Sequence, residues 1–163
     1  MFVYPVIDQV KLVDVTVKRF AIQRKEREAL VCGDGILADA ELSIFMRVDD
    51  EEEAVLKALN RLGDDVVARE AGEEVLGERF RSVLVECLEE SFRSHEFSEI
   101  YQSRELVRAD FLAAARPRFV ELGVVVDDIA IDALELADEE FYDESKPLQA
   151  EGLDKLKELK AEA

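Results

Sequence analysis

Polar and apolar positions along this chain change period twice. Val13, Val15 and Val17 alternate with Asp14, Thr16 and Lys18, the two-residue period of a strand with one buried face. Ala29 to Cys32 is a second short apolar stretch, and Gly33-Asp34-Gly35 after it supplies the residues of a tight hairpin turn. The returning strand carries the clearest pattern: Ile36, Ala38, Ala40, Leu42, Ile44, Met46 and Val48 share a face. Asp39, Glu41, Ser43 and Arg47 share the other face, with Leu37 and Phe45 as apolar exceptions. At Asp49-Asp50 the period changes to that of helices. Asp49 or Asp50 is placed to cap a helix whose first turn holds Glu51, Glu52 and Glu53, carboxylates that suit the positive end of the helix dipole. Val55, Leu56, Leu59 and Leu62 form its stripe and Gly63 its stop.

A short helix is predicted around Val66–Ala71, bounded by Gly72 and Gly77. Phe80, Val83, Leu84, Cys87, Leu88 and Phe92 recur at steps of three and four and predict another helix. Ser103 reads as the cap of a helix reaching Leu122, with Leu106, Phe111, Leu112, Ala115 and Phe119 inward and Pro117 near its end. Val124 to Leu134 returns to β. Residues 135–147 are acidic, contain Pro147 and read as a linker. Leu148 to Ala163 reads as a helix with Leu153, Leu156 and Leu159 among Glu and Lys. The order of strands, helices, a returning strand and a helical tail predicts an α+β domain over 1–134, a twisted antiparallel sheet with helices along one side. The linker over 135–147 and the helical segment over 148–163 complete the chain.

Charge narrows the function classes. Of 163 residues, 39 are acidic and 21 basic, a formal net charge of −18. Such a field repels nucleic acid and anionic headgroups, and no basic cluster with aromatics offsets it, so no nucleic-acid partner is expected. Membrane contact has to come from apolar insertion or an anchor. No apolar run nears the ~20 residues that span a bilayer, and the chain as written is expected to be soluble.

Candidate chemistry is sparse. Cys32 and Cys87 lie in apolar settings without C-x-x-C spacing and read as small core residues. The only histidine, His95, has no G-x-S-x-G nucleophile elbow to serve, and it suits a helix C-terminus. Asp127, Asp128 and Asp132 raise the idea of a metal or acid pair. Neighbours on a strand face apart, which favours solvated acids. Asp49 to Glu53 lacks the alternating spacing and central Gly of a calcium loop, and Gly33-Asp34-Gly35 lacks the Lys-Ser/Thr of a phosphate loop. No catalytic, cofactor-binding or metal site is therefore expected, and no enzyme activity.

Five blocks in order resemble the SPFH (band 7, prohibitin-homology) domain of flotillin, stomatin and prohibitin proteins, and most of all bacterial or archaeal flotillin-like inner-membrane proteins. They are Phe2-Val3-Tyr4-Pro5-Val6-Ile7-Asp8-Gln9-Val10; Arg27 to Val31 with Asp34 to Asp39 and Phe45 to Val48; Phe97 to Arg104; Leu122 to Asp132; and Leu148 to Leu153. The resemblance implies a non-catalytic scaffold that forms homo-oligomers at a membrane and organises microdomains and other membrane proteins. It implies a membrane segment ahead of Phe2 and a coiled coil after the tail, so the chain is expected to be the globular middle of a longer membrane protein. Lipid contact would come through that preceding segment, with the domain on the cytoplasmic side. On the same ground Phe2, Val3, Tyr4 and Ile7 are candidates for a membrane-proximal patch, the alternative being an edge strand. Leu153, Leu156 and Leu159 are candidates for oligomerisation. The competing reading is a soluble acidic adaptor that binds basic protein partners and has no membrane role.

Overall fold

A computed structural model describes residues 2–6, 9–63 and 75–162; side chains are described from Val13 onward. Six strands and six α-helices are described: β1 (Phe2–Val6), β2 (Gln9–Val13), β3 (Lys18–Arg24), β4 (Leu30–Val31), β5 (Leu37–Val48), α1 (Glu52–Leu62), α2 (Val75–Arg79), α3 (Arg81–Arg93), α4 (Phe97–Gln102), α5 (Glu105–Val120), β6 (Val124–Leu136) and α6 (Pro147–Glu162). Ile7 and the helix expected around Val66–Ala71 lie outside the described residues.

β5 organises the main sheet. Its register pairs Ala40 with Arg24 of β3 and with Leu134 of β6, and Ala38 with Leu30 of β4 and Leu136 of β6. β3 and β4 therefore follow one another along one edge of β5, and β6 runs along the other, all antiparallel. β1 and β2 pair separately as a hairpin. The fold class is the expected one: an open antiparallel sheet with helices on one side and a further helix at the C-terminus. Ala38, Ala40, Leu42, Ile44, Met46 and Val48 all lie in the main core, with Leu84, Leu88 and Phe92 of α3 and Phe111, Ala115 and Phe119 of α5. Phe80 meets Phe119 edge to face, ring centres 5.0 Å apart.

Several local expectations are corrected. The Val13/Val15/Val17 alternation is not one strand. Asp14 accepts hydrogen bonds from the Thr16 N–H at 2.9 Å and the Thr16 hydroxyl at 2.6 Å, and the chain bends there before β3. The strand begins at Lys18, where only Phe20 and Ile22 face the core. On α1 the N-cap position is Glu51. Asp49 lies two residues earlier and accepts the Glu51 N–H at 3.3 Å. Leu56 faces outward, and Ala58 takes the buried place beside Val55 and Leu62. Ser103 separates α4 from α5, and Arg104 holds the N-cap position of α5, with no side-chain capping bond.

The Asp14 carboxyl also faces the Lys18 ammonium at 2.5 Å. Burial by itself would raise its pKa, but hydrogen bonds from Lys18 and Thr16 outweigh that and hold it at about 2. A carboxyl depressed on folding stabilises the protein above its unfolded pKa near 3.8, and that contribution disappears as pH falls towards 2. Lying near the surface, it is worth on the order of 1 kcal/mol. Asp14→Asn should remove this step from the acid end of a stability–pH curve: the variant loses on the order of 1 kcal/mol above about pH 4, matches the parent near pH 2, and keeps the shape of the curve elsewhere.

β6 has one strand partner, β5, among the described residues. Arginines occupy carbonyls along it: Arg104 Nη1 donates to Ile131 O at 2.6 Å, and Arg116 donates to Val126 O and Asp127 O, both at 3.1 Å. Charged side chains on a long edge strand discourage pairing with other chains. Removing both arginines should cost about 1–2 kcal/mol and produce light scattering on storage where the parent solution stays clear.

Candidate functional site

The residues singled out from the sequence do not converge. His95, in the link between α3 and α4, places Nε2 2.6 Å from Asp110 Oδ2 on α5, and Glu99 stands 4.0 Å from its Nδ1. Its backbone carbonyl accepts the Gly33 N–H at 2.7 Å. The nearby hydroxyls are turned to backbone: Ser94 Oγ donates to Glu90 O and Ser91 Oγ to Cys87 O. His95 therefore ties the α3–α4 link both to α5 and to the 33–35 turn. An open groove beside it is lined by Glu90, Ser91, Ser94, Asp110, Ala113 and Ala114.

The β6 carboxylates each take a separate partner. Asp127 Oδ2 lies 3.2 Å from Arg47 Nε on β5. Asp128 Oδ1 lies 2.6 Å from Arg108 Nε on α5, and that guanidinium holds its carboxyl below the usual range. Asp132 Oδ2 accepts the Ser43 hydroxyl at 2.6 Å, and Arg19 Nε donates to the same Ser43 oxygen at 3.0 Å. This Arg19–Ser43–Asp132 ladder crosses β3, β5 and β6 on the face away from α3 and α5. It leaves Ser43 1% exposed, between Ala21 of β3 and Ala130 of β6. Lys25 and Glu41 add an ion pair at 2.5 Å. What these groups do is lock strands together. Among the described residues no group of three His, Cys, Asp or Glu side chains is placed to hold a metal ion. Cys32 and Cys87 are buried free thiols, and burial pushes the Cys32 thiol up to about 12, far from a reactive thiolate.

Phe2, Val3 and Tyr4 lie in β1, paired with Val13, Leu12 and Lys11. No helix among the described residues is long and apolar enough to cross a membrane.

The tail carries the most information. β6 runs on to Leu136, and the Ala137 N–H donates to Leu37 O at 3.0 Å. Tyr142, within the segment expected as a linker, is buried, and its hydroxyl accepts the Leu37 N–H at 2.8 Å. Burial pushes the Tyr142 phenol up to about 12. Helix α6 then folds back onto the domain. Leu153 and Leu156, at 5% and 0% exposure, join Leu37, Ala137 and Tyr142 in an apolar cluster apart from the main core. Of the three candidate oligomerisation leucines, Leu159 alone is well exposed, at 40%. The backbones meet at two glycines: a Cβ on Gly152 would sit 1.9 Å from Gly35 O, and one on Gly35 1.8 Å from Leu148 O. Lys155 Nζ completes the contact, 3.1 Å from Asp34 and 3.6 Å from Glu96. Sequence reasoning missed this docking. Its signal was Gly152, a poor helix former in the middle of an otherwise helical stretch.

The remaining exposed large apolar side chains include Tyr101 on α4, stacked on Phe97, and Val120 at the end of α5.

Comparison with curated proteins gives no match. The family model described as SPFH domain / Band 7 family matches residues 1–162. With all but its final residue inside that match, the chain belongs to the SPFH domain / Band 7 family.

Proposed function

We propose that this chain is a non-catalytic scaffold domain of flotillin-like type, which self-assembles at a membrane to organise microdomains and protein partners. The observation that carries this reading is the family match along residues 1–162. SPFH proteins are membrane-associated scaffolds that generally oligomerise, and such work needs a rigid body with addressable faces. The disposition of the charged groups supports the same reading. His95, Asp127, Asp128 and Asp132 each hold two elements together, an arrangement suited to stiffness. With a net charge of −18, attraction of the domain's own surface to anionic lipid is unfavourable, so its placement at a membrane depends on apolar or covalent attachment.

The acidity also motivates a second reading, a soluble adaptor for basic proteins. Fractionation of the native cell, with the protein expressed from its own gene, separates the two. The scaffold reading expects the protein in the membrane fraction and, after mild detergent, in complexes many times the monomer mass. Recovery as a soluble monomer, or bound to a basic partner away from membranes, would reject it.

A further inference from the structure

We propose that α6 is an exchangeable arm: it docks on its own domain as described above, and on the same seat of a second copy when chains are crowded. The partner is thus this chain itself, and the proposal deepens the self-assembling reading on which it rests.

Three observations support this. First, the seat is a satellite of the fold. Leu37, Ala137, Tyr142, Leu153 and Leu156 form a cluster separate from the main core, so α6 can leave without opening the sheet–helix interior. Second, the chain just before α6 has the makings of a hinge. Tyr142 is anchored, but Asp143, Glu144, Ser145 and Lys146 are exposed, tied by surface bonds such as Asp143 N–H to Gln149 Oε1 at 2.9 Å. Four extended residues span roughly 13 Å, room for the arm to swing outward.

Third, Gly152 discriminates between ways of pairing through α6. A free two-helix coil through Leu153 and Leu156 would have to pull both leucines out of the seat. It would also carry a glycine in mid-helix, a poor helix former beside alanine, in a sixteen-residue segment already marginal as an isolated helix. Exchange keeps the Gly35–Gly152 contact, the buried leucines and the Lys155–Asp34 pair, and merely draws them from two chains. Cis docking has an effective concentration on the order of millimolar, so exchange needs chains gathered at high density, as on a surface.

Two variants of the whole chain test this. Gly152→Ala disables the arm and leaves the seat intact; Gly35→Ala disables the seat and leaves the arm intact. Each alone should sediment as a monomer, with α6 amides exchanging at least roughly tenfold faster than in the parent. Mixed one to one, they should form a heterodimer in which the Gly35→Ala chain regains α6 protection. No heterodimer and no regained protection would overturn the proposal. Self-association of Gly152→Ala alone would also overturn it, in favour of a coil. Gly35 has φ +84°, and its substitution can unfold the turn. A second arm of the test therefore mixes Asp34→Cys chains with Lys155→Cys chains at concentrations raised to about millimolar, where exchange competes with cis docking, and adds a short bismaleimide. Exchange predicts covalent heterodimers that increase with concentration, and their absence contradicts it. Should the native protein prove membrane-bound and oligomeric while both mixtures fail, the scaffold reading stands and exchange alone falls.

Discussion

Phe111→Ala should lower the unfolding free energy by about 3–5 kcal/mol. Phe111 is fully buried on α5, the helix that packs against both α3 and β6, so its ring lies where sheet and helices meet. Truncation removes the transfer free energy of the ring and leaves a cavity that the rigid β5–β6 pair can close only in part. In urea the midpoint should fall by roughly 1–3 M. A loss below about 1 kcal/mol would mean that the helix layer is loosely packed. The same substitution at Tyr101, which is 62% exposed, should change stability by less than about 0.5 kcal/mol.

Gly123→Ala should be nearly as severe for a different reason. Gly123 turns the chain from α5 into β6 at φ +74°, and its carbonyl accepts the Asp49 N–H at 2.9 Å, where β5 leaves for α1. A Cβ there would lie 2.0 Å from the Ala54 carbonyl oxygen, against backbone that cannot rotate away. Left-handed strain of about 1–2 kcal/mol and overpacking of about 1–3 kcal/mol add, which predicts a fall in Tm of roughly 5–15 °C. A melting curve unchanged within a degree or two would contradict the placement of α1 against this turn.

The parts of the fold that followed from the sequence are those in which one physical signal dominates. β5 alternates over twelve residues and was legible throughout; α3 shows its buried face at helical steps. The misplaced element, β3, has polar ends and two inward residues, and its neighbouring valine alternation belongs to a bend fixed by the Asp14 side chain. That competition between a side chain and the strand ladder leaves no trace in hydrophobic period. The arginines along β6 were equally invisible, because Arg104 and Arg116 lie on the outside of a helical pattern and meet β6 only after the chain has returned. The tail leucines show the same limit. Leu153, Leu156 and Leu159 form a stripe, and periodicity alone does not say whether another chain or the same domain covers it. In this conformation Leu153 and Leu156 are covered by their own domain, where Gly152 meets Gly35, 117 residues away in sequence.

The family match fixes the class of molecule, and self-assembly beside a membrane is the central proposal built on it. The most direct test holds the chain on liposomes through an N-terminal tag and a chelating lipid, with donor- and acceptor-labelled copies mixed at increasing surface density. A self-assembling scaffold predicts energy transfer above the level of random mixing, rising steeply with density and reversed by excess unlabelled chain. Energy transfer at the random-mixing level at every density would contradict it.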